Sequence, residues 1–248
     1  MDDLLSHDTA LLAQPANQLL DAFGAGQASP GSGSAAAMYG LLAVKLIRTV
    51  CLKSLEKTTD REIIASLGHI LKQLEATEPA LVSLFEKDAR EFHEIVRLRM
   101  ERDAVRNPDE RSVLARRANE LLETATDNTF EIVDLCLPLI NHGVTVFEYG
   151  WKAVRGDSGA AISGAIAAVT SGLFIVNLNI KGLKGRNYAM NNINRCAQQS
   201  ADLQLKHSTA LGCLASLNFE AVTSVDEQAS ESVQLPLFQT EGRASSSD

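Results

Sequence analysis

Asp88 lies in an apolar stretch, with Leu84 and Phe85 before it and Phe92 one turn after. On a helix, such neighbours would strip water from the carboxylate and raise its pKa towards the range where it can exchange protons near neutrality. The residue reads equally as a solvated helix-face acid paired with Lys87 or Arg90. Asp157 is a second carboxylate, heading a run of small residues. As an N-cap it would satisfy free amides and suit the helix dipole, which is compatible with a ligand-binding role. The run Pro30-Gly31-Ser32-Gly33-Ser34 leads into a helix, whose unpaired N–H groups favour an anion or a polar ligand edge. It is not a phosphate-binding Walker loop, because the Gly-Lys-Ser/Thr ending and a preceding strand are both missing. The plainer reading is a flexible turn with Ser34 as N-cap.

Other polar groups point to less chemistry. Arg97, Arg99, Arg102, Arg106, Arg111, Arg116 and Arg117 could attract an anionic ligand tail. Glu94, Glu101, Asp103, Asp109 and Glu110 are interleaved with them, which favours a salt-bridged, solvated face. His93 is near Asp88 but stands alone, and no His/Cys/Asp group has metal-ligand spacing, so neither a metal nor a cofactor is expected.

The elements that must carry these residues read as helices throughout, with no run of strand alternation. A short helix is expected from Pro15 to Ala25, and a second from Ala35 to about Lys57. Asp60 should cap a long third helix, with Ile63, Ile64, Leu67, Ile70, Leu71 and Leu74 at helical spacing. Pro79 should break or kink it before it resumes towards Arg102. Asn107-Pro108 is a cap followed by a first-turn proline, opening a helix to about Glu148 with Pro138 as a kink. Asp157 opens the small-residue helix, and a last helix runs from about Tyr188 to Leu217.

Between Gly159 and Val176 there is no charge, long enough to span a bilayer in principle, yet Ser163, Thr170, Ser171 and three glycines dilute it. A helix buried in protein on all sides is expected. Two stripes of small residues recur at every fourth position: 159, 163, 167, 171 and 160, 164, 168, 172. Either intramolecular packing or a dimer interface would use them.

Composition sets the class. Of 248 residues, 45% are hydrophobic, 22% charged and only 5% aromatic, which favours helices packed through small side chains. The net charge of −8 gives no overall field to gather nucleic acid or an anionic membrane. Four isolated cysteines suggest buried thiols in a reducing compartment, and an acidic start (Met1-Asp2-Asp3) is unlike a signal peptide, so a cytoplasmic location is expected.

Three stretches, in order, resemble the cyclodeaminase/cyclohydrolase family of folate enzymes. Leu19-Leu-Asp-Ala-Phe23 with Ser29-Pro-Gly-Ser-Gly-Ser-Ala-Ala-Ala37 resembles F-L-D-x-L-A…P-x-P-G-G-G-S-x-A-A. Asp88-Ala-Arg-Glu-Phe92 resembles D-x-x-A-[FY]. Gly156-Asp-Ser-Gly-Ala-Ala161 with Leu178-Asn-Ile-Lys-Gly-Leu-Lys184 resembles S-D-x-x-V-A…I-N-L-x-x-I-K. The chain departs from these patterns at Ser32 (usually Gly), Glu91 (usually Ala) and Ile175 (usually Asn), and it lacks the L-P-K that follows the second.

The resemblance implies an all-α, up-and-down bundle of about five to six helices that dimerises, with a folate pocket near the subunit interface. It implies Asp88 and Asp157 as catalytic residues, and Pro30, Gly31, Ser32, Gly33, Ser34, Phe92 and Asn179 as substrate-binding. The implied activity is hydrolysis of 5,10-methenyltetrahydrofolate to 10-formyltetrahydrofolate, or deamination of 5-formiminotetrahydrofolate. These residues include no formiminotransferase domain, which leans the expectation to the hydrolase.

The chain divides into a flexible start (1–14), the helical domain (15–218) and a polar, disordered tail (219–248). Within the tail, Gln234-Leu235-Pro236-Leu237-Phe238 resembles the Q-L-x-L-F peptide with which bacterial replication and repair proteins dock on the DNA polymerase sliding clamp. That motif supplies the alternative reading: a non-catalytic interaction protein on the same fold, acting through its tail at the clamp and not on nucleic acid directly.

Overall fold

A computed structural model of the chain describes residues 10–232. The order is α1 (Ala16–Gly24), α2 (Ser32–Leu55), α3 (Arg61–Ala104), α4 (Pro108–Tyr149), α5 (Arg155–Gly182) and α6 (Asn187–Ser232). Short 3-10 turns stand at Leu11–Ala13 and Lys152–Val154. Among the described residues there is no strand.

Helices α2, α3, α4 and α5 close into a ring, each packed on the next and α5 returning to α2, while α6 lies against α4 and α5. The core between them is fully buried Val44, Ile47, Phe85, Phe130, Leu139 and Val176. Each such side chain contributes about 1.5–3 kcal/mol by leaving water.

Local signals account for the starts of α3 and α4. Asp60 accepts from the amides of Glu62 (2.8 Å) and Ile63 (3.2 Å), and Asn107 accepts from Asp109 (2.9 Å) ahead of Pro108. Helix α3 runs on through Pro79, so the proline does not break it, and α4 runs on through Pro138. Leu74 and Leu81 on either side of Pro79 are buried in the same core, which outweighs the lost backbone bond of about 3 kcal/mol.

The two small-residue stripes of α5 part company. Gly164 lies against α2, where a Cβ would stand 3.3 Å from the Tyr39 carbonyl, and Gly172 against α4, where one would stand 2.5 Å from Val133 Cγ2. Ala168 between them is buried. The other stripe is not covered: Ser163 is exposed, Ala167 and Ser171 half-buried, and Phe174 and Leu178 on the same side are 69% and 65% exposed. Helix α5 is therefore not enclosed on all sides.

Helix α6 continues well past Leu217, to Ser232. The boundary expected at 219 is a change of composition and not a helix end; the hydroxyls of Thr223 and Ser224 donate back to the carbonyls of Phe219 and Glu220. A ladder across to α4 holds its first half: Arg186 to Glu123, Tyr188 to Asp127, and Arg195 with Gln199 to Asp134.

Candidate active site

The start of α2 and the middle of α3 meet at Asp88. The Ser34 amide donates to Asp88 Oδ2 at 2.6 Å, and the Ser34 hydroxyl donates to the same oxygen at 2.8 Å. Ser34 is therefore not the N-cap of α2. The helix begins at Ser32 after Gly31, with no side-chain cap of its own. A carboxylate from α3 supplies the negative charge that the amide-rich end of α2 favours.

The approach is close because residue 33 has no side chain. A Cβ at Gly33 would fall 2.0 Å from Asp88 Oδ1 and 2.5 Å from its Cγ. Asp88 is 8% exposed. Burial raises its pKa, and the two Ser34 hydrogen bonds pull it partly back down.

Asp88 opens on a recess lined by Ser32, Gly33, Phe92, Ala125, Thr129, Ile175 and Asn179. Its wall is mostly apolar. The Thr129 hydroxyl is spent on the Ala125 carbonyl at 2.9 Å, while Asn179 brings an amide from the far end of α5. A desolvated carboxylate facing an amide across an apolar recess can stabilise a delocalised cation and exchange one proton.

A family model described as formiminotransferase-cyclodeaminase matches residues 15–198. The chain belongs to this family. A methenyltetrahydrofolate cyclohydrolase of Methylorubrum extorquens is 29% identical over 171 residues, covering 68% of this chain and 81% of that relative. The crystal structure of formiminotetrahydrofolate cyclodeaminase from Thermotoga maritima matches with a TM-score of 0.70 at 16% identity, covering 84% of this chain and 98% of that one. At that identity the likeness is one of fold.

In this member of the formiminotransferase-cyclodeaminase family, Ser32, Gly33, Ser34, Asp88, Phe92 and Asn179 come together as one constellation. Pro30 is buried and Gly31 packs behind it, 3.9 Å from Phe92 Cδ1 for a Cβ there. Asp157 does not join them. Helix α5 begins at Arg155, so Asp157 is in its first turn and not its N-cap. It stands about 33 Å along the helix from Asn179. The peptide Gln234, Leu235, Leu237 and Phe238 lies outside the described residues.

Sequence reasoning missed the α4 wall, Ala125 and Thr129, and the bond from Asn128 Nδ2 to Glu91 Oε2 at 2.6 Å beside it. Helical spacing marks Ala125 and Thr129 as core positions, and nothing in their types distinguishes a cavity wall from a filled one. The arginine face follows the salt-bridged reading: Arg97 pairs with Glu94 and Glu101, Arg102 with Asp103, and Arg116 with Glu120.

Proposed function

We propose that the chain is a folate one-carbon enzyme that hydrolyses 5,10-methenyltetrahydrofolate to 10-formyltetrahydrofolate. One observation carries this reading: the buried Asp88 carboxylate, fixed by Ser34, faces Asn179 across an apolar recess in a chain of this family. The similarity to a methenyltetrahydrofolate cyclohydrolase over most of that relative's length supports the hydrolase over the deaminase.

The substrate's positive charge is spread over an N–C–N bridge, which a carboxylate in a dry setting stabilises. Water adds to the bridge carbon: a C–O bond forms, the C=N electron pair returns to nitrogen, and Asp88 takes the proton leaving the water. The carbinolamine then opens as its C–N5 bond breaks. N5 keeps the electron pair and takes the proton from Asp88, and the carbinolamine hydroxyl proton passes to solvent. Asn179 orients the bridge and Phe92 covers one side of the ring system.

The test is the rate of methenyltetrahydrofolate absorbance loss with wild type and Asp88→Asn. Acceleration over the spontaneous rate, lost by at least 100-fold in the variant, is expected; no acceleration at micromolar wild type would reject the reading.

The uncovered α5 stripe, with Tyr39 and Leu42 exposed on the adjoining α2, supports a homodimer formed on this face. Phe174→Glu should then lower the mass measured by light scattering to that of one chain, and an unchanged mass would rule out this face. The 234–238 peptide supports a second, separable proposal, docking on the sliding clamp. It predicts that Leu237→Ala/Phe238→Ala abolishes clamp recovery in a pull-down, with equal recovery counting against it.

A further inference from the structure

Glu91 is a carboxylate beside the recess that the mechanism above does not use. It lies one helical turn beyond Asp88 on α3, next to Phe92, and Asn128 of α4 fixes it from the residue before Thr129. The Glu91–Asn128 bond thus runs from α3 to α4 alongside a cavity lined by Asp88, Phe92, Ala125 and Thr129. The position departs from the D-x-x-A-[FY] pattern that this stretch resembles.

The charge balance around it is uneven. Among the described residues, no Lys, Arg or His lines the recess. Lys87 and Arg90, the cations whose charge lowers the Glu91 pKa, are at exposed positions of α3, where water screens them. Glu91 itself is half-buried, and burial raises its pKa; the Asn128 hydrogen bond and Lys87 pull it back down, and Asp88 adds a smaller upward push. Asp88 is partly compensated by Ser34 and Glu91 by Asn128, but among the described residues no full positive charge lines the recess beside them. A ligand that brings positive charge relieves both, and a neutral one relieves neither.

We propose that Glu91, held by Asn128, is a specificity-determining residue that makes the recess prefer folates with a positively charged one-carbon bridge over those with a neutral one. The proposal rests on the folate reading and assigns how that site separates substrate from product. The methenyl bridge is a cation and the formyl product is neutral there, so Glu91 favours entry of one and departure of the other. The residue acts through its field, without touching the reacting atoms.

The test compares wild type, Glu91→Gln and Asn128→Ala, measuring kcat and KM for methenyltetrahydrofolate and the product-inhibition constant of 10-formyltetrahydrofolate. Glu91→Gln keeps the shape and removes the charge. It should raise KM about fivefold, leave kcat within about twofold, and leave the product constant unchanged. Asn128→Ala, which frees the carboxylate without neutralising it, should raise KM less. Constants for substrate and product that move together, or a KM that does not move, would overturn the proposal, because a merely structural role affects both ligands alike. If Glu91→Gln does not fold, Glu91→Ala is judged by the same ratio. Failure of wild type to accelerate the reaction at all marks failure of the folate reading itself, and this inference falls with it.

Discussion

Gly33→Ala places a methyl group where the Asp88 carboxylate already is. Ordinary contact begins near 3.4 Å, and the new Cβ would lie 2.0 Å from Oδ1, 2.5 Å from Cγ and 2.8 Å from Oδ2. The carboxylate must retreat by about 1.4 Å, or α2 must lift off α3. Either motion breaks the 2.6 and 2.8 Å hydrogen bonds from Ser34. Hydrogen bonds to a charged group are worth about 1.5–3 kcal/mol each. Alanine returns up to about 1 kcal/mol through helix propensity. The net expectation is a loss of about 3 kcal/mol in urea unfolding. Activity should fall about 100-fold, as for a catalytic group displaced by an ångström. Gly68→Ala is the control, since its Cβ meets nothing within 4 Å near the start of α3; it should be neutral or slightly stabilising. Native stability and turnover in Gly33→Ala would refute the packing of Asp88 against α2.

Asp88→Asn should separate stability from activity. Because the folded-state pKa of Asp88 is raised, its contribution is most favourable below the unfolded carboxylate pKa and is lost as pH rises through the folded value. The variant's stability relative to wild type should therefore increase as pH rises through that window, with turnover absent throughout; a pH-independent difference in urea midpoints would contradict this. Ser34→Ala removes a hydrogen bond that lowers the Asp88 pKa. The acid limb of its kcat profile should move to higher pH, with a stability loss of about 2 kcal/mol; an unmoved limb would count against Asp88 as the titrating group. Arg195→Ala removes the bond to Asp134 and a cation stacked 4.3 Å from the Phe130 ring. Both partners of that ion pair are substantially exposed, so the cost should be only about 1 kcal/mol, read as faster hydrogen exchange in α6 with kcat unchanged.

The parts of this molecule legible in the sequence are those whose cause is local. Asp60 and Asn107 cap helices with amides two or three residues away, and both starts are read correctly. Ser34 and Asp157 were misplaced as caps for the opposite reason. The charge at the head of α2 arrives from Asp88, 54 residues on, and α5 starts a few residues early out of the Lys152–Val154 turn. That α3 continues past Pro79 rests on burial on both sides of it, a tertiary effect that the local proline signal does not report. In the site, the loop, Asp88, Phe92 and Asn179 are carried by motifs. Ala125, Thr129 and the Asn128–Glu91 bond belong to the packing of α4 on α3 and leave no mark in any one segment.

The most direct measurement is a crystal structure of wild type with bound 5-formyltetrahydrofolate, a stable folate that carries the one-carbon unit. The expected density places that unit in contact with the Asp88 carboxylate and the Asn179 amide, with the ring system beside Phe92. Folate density seated elsewhere on the subunit, with Asp88 still bonded to Ser34 beside an empty recess, would contradict the assignment of the site.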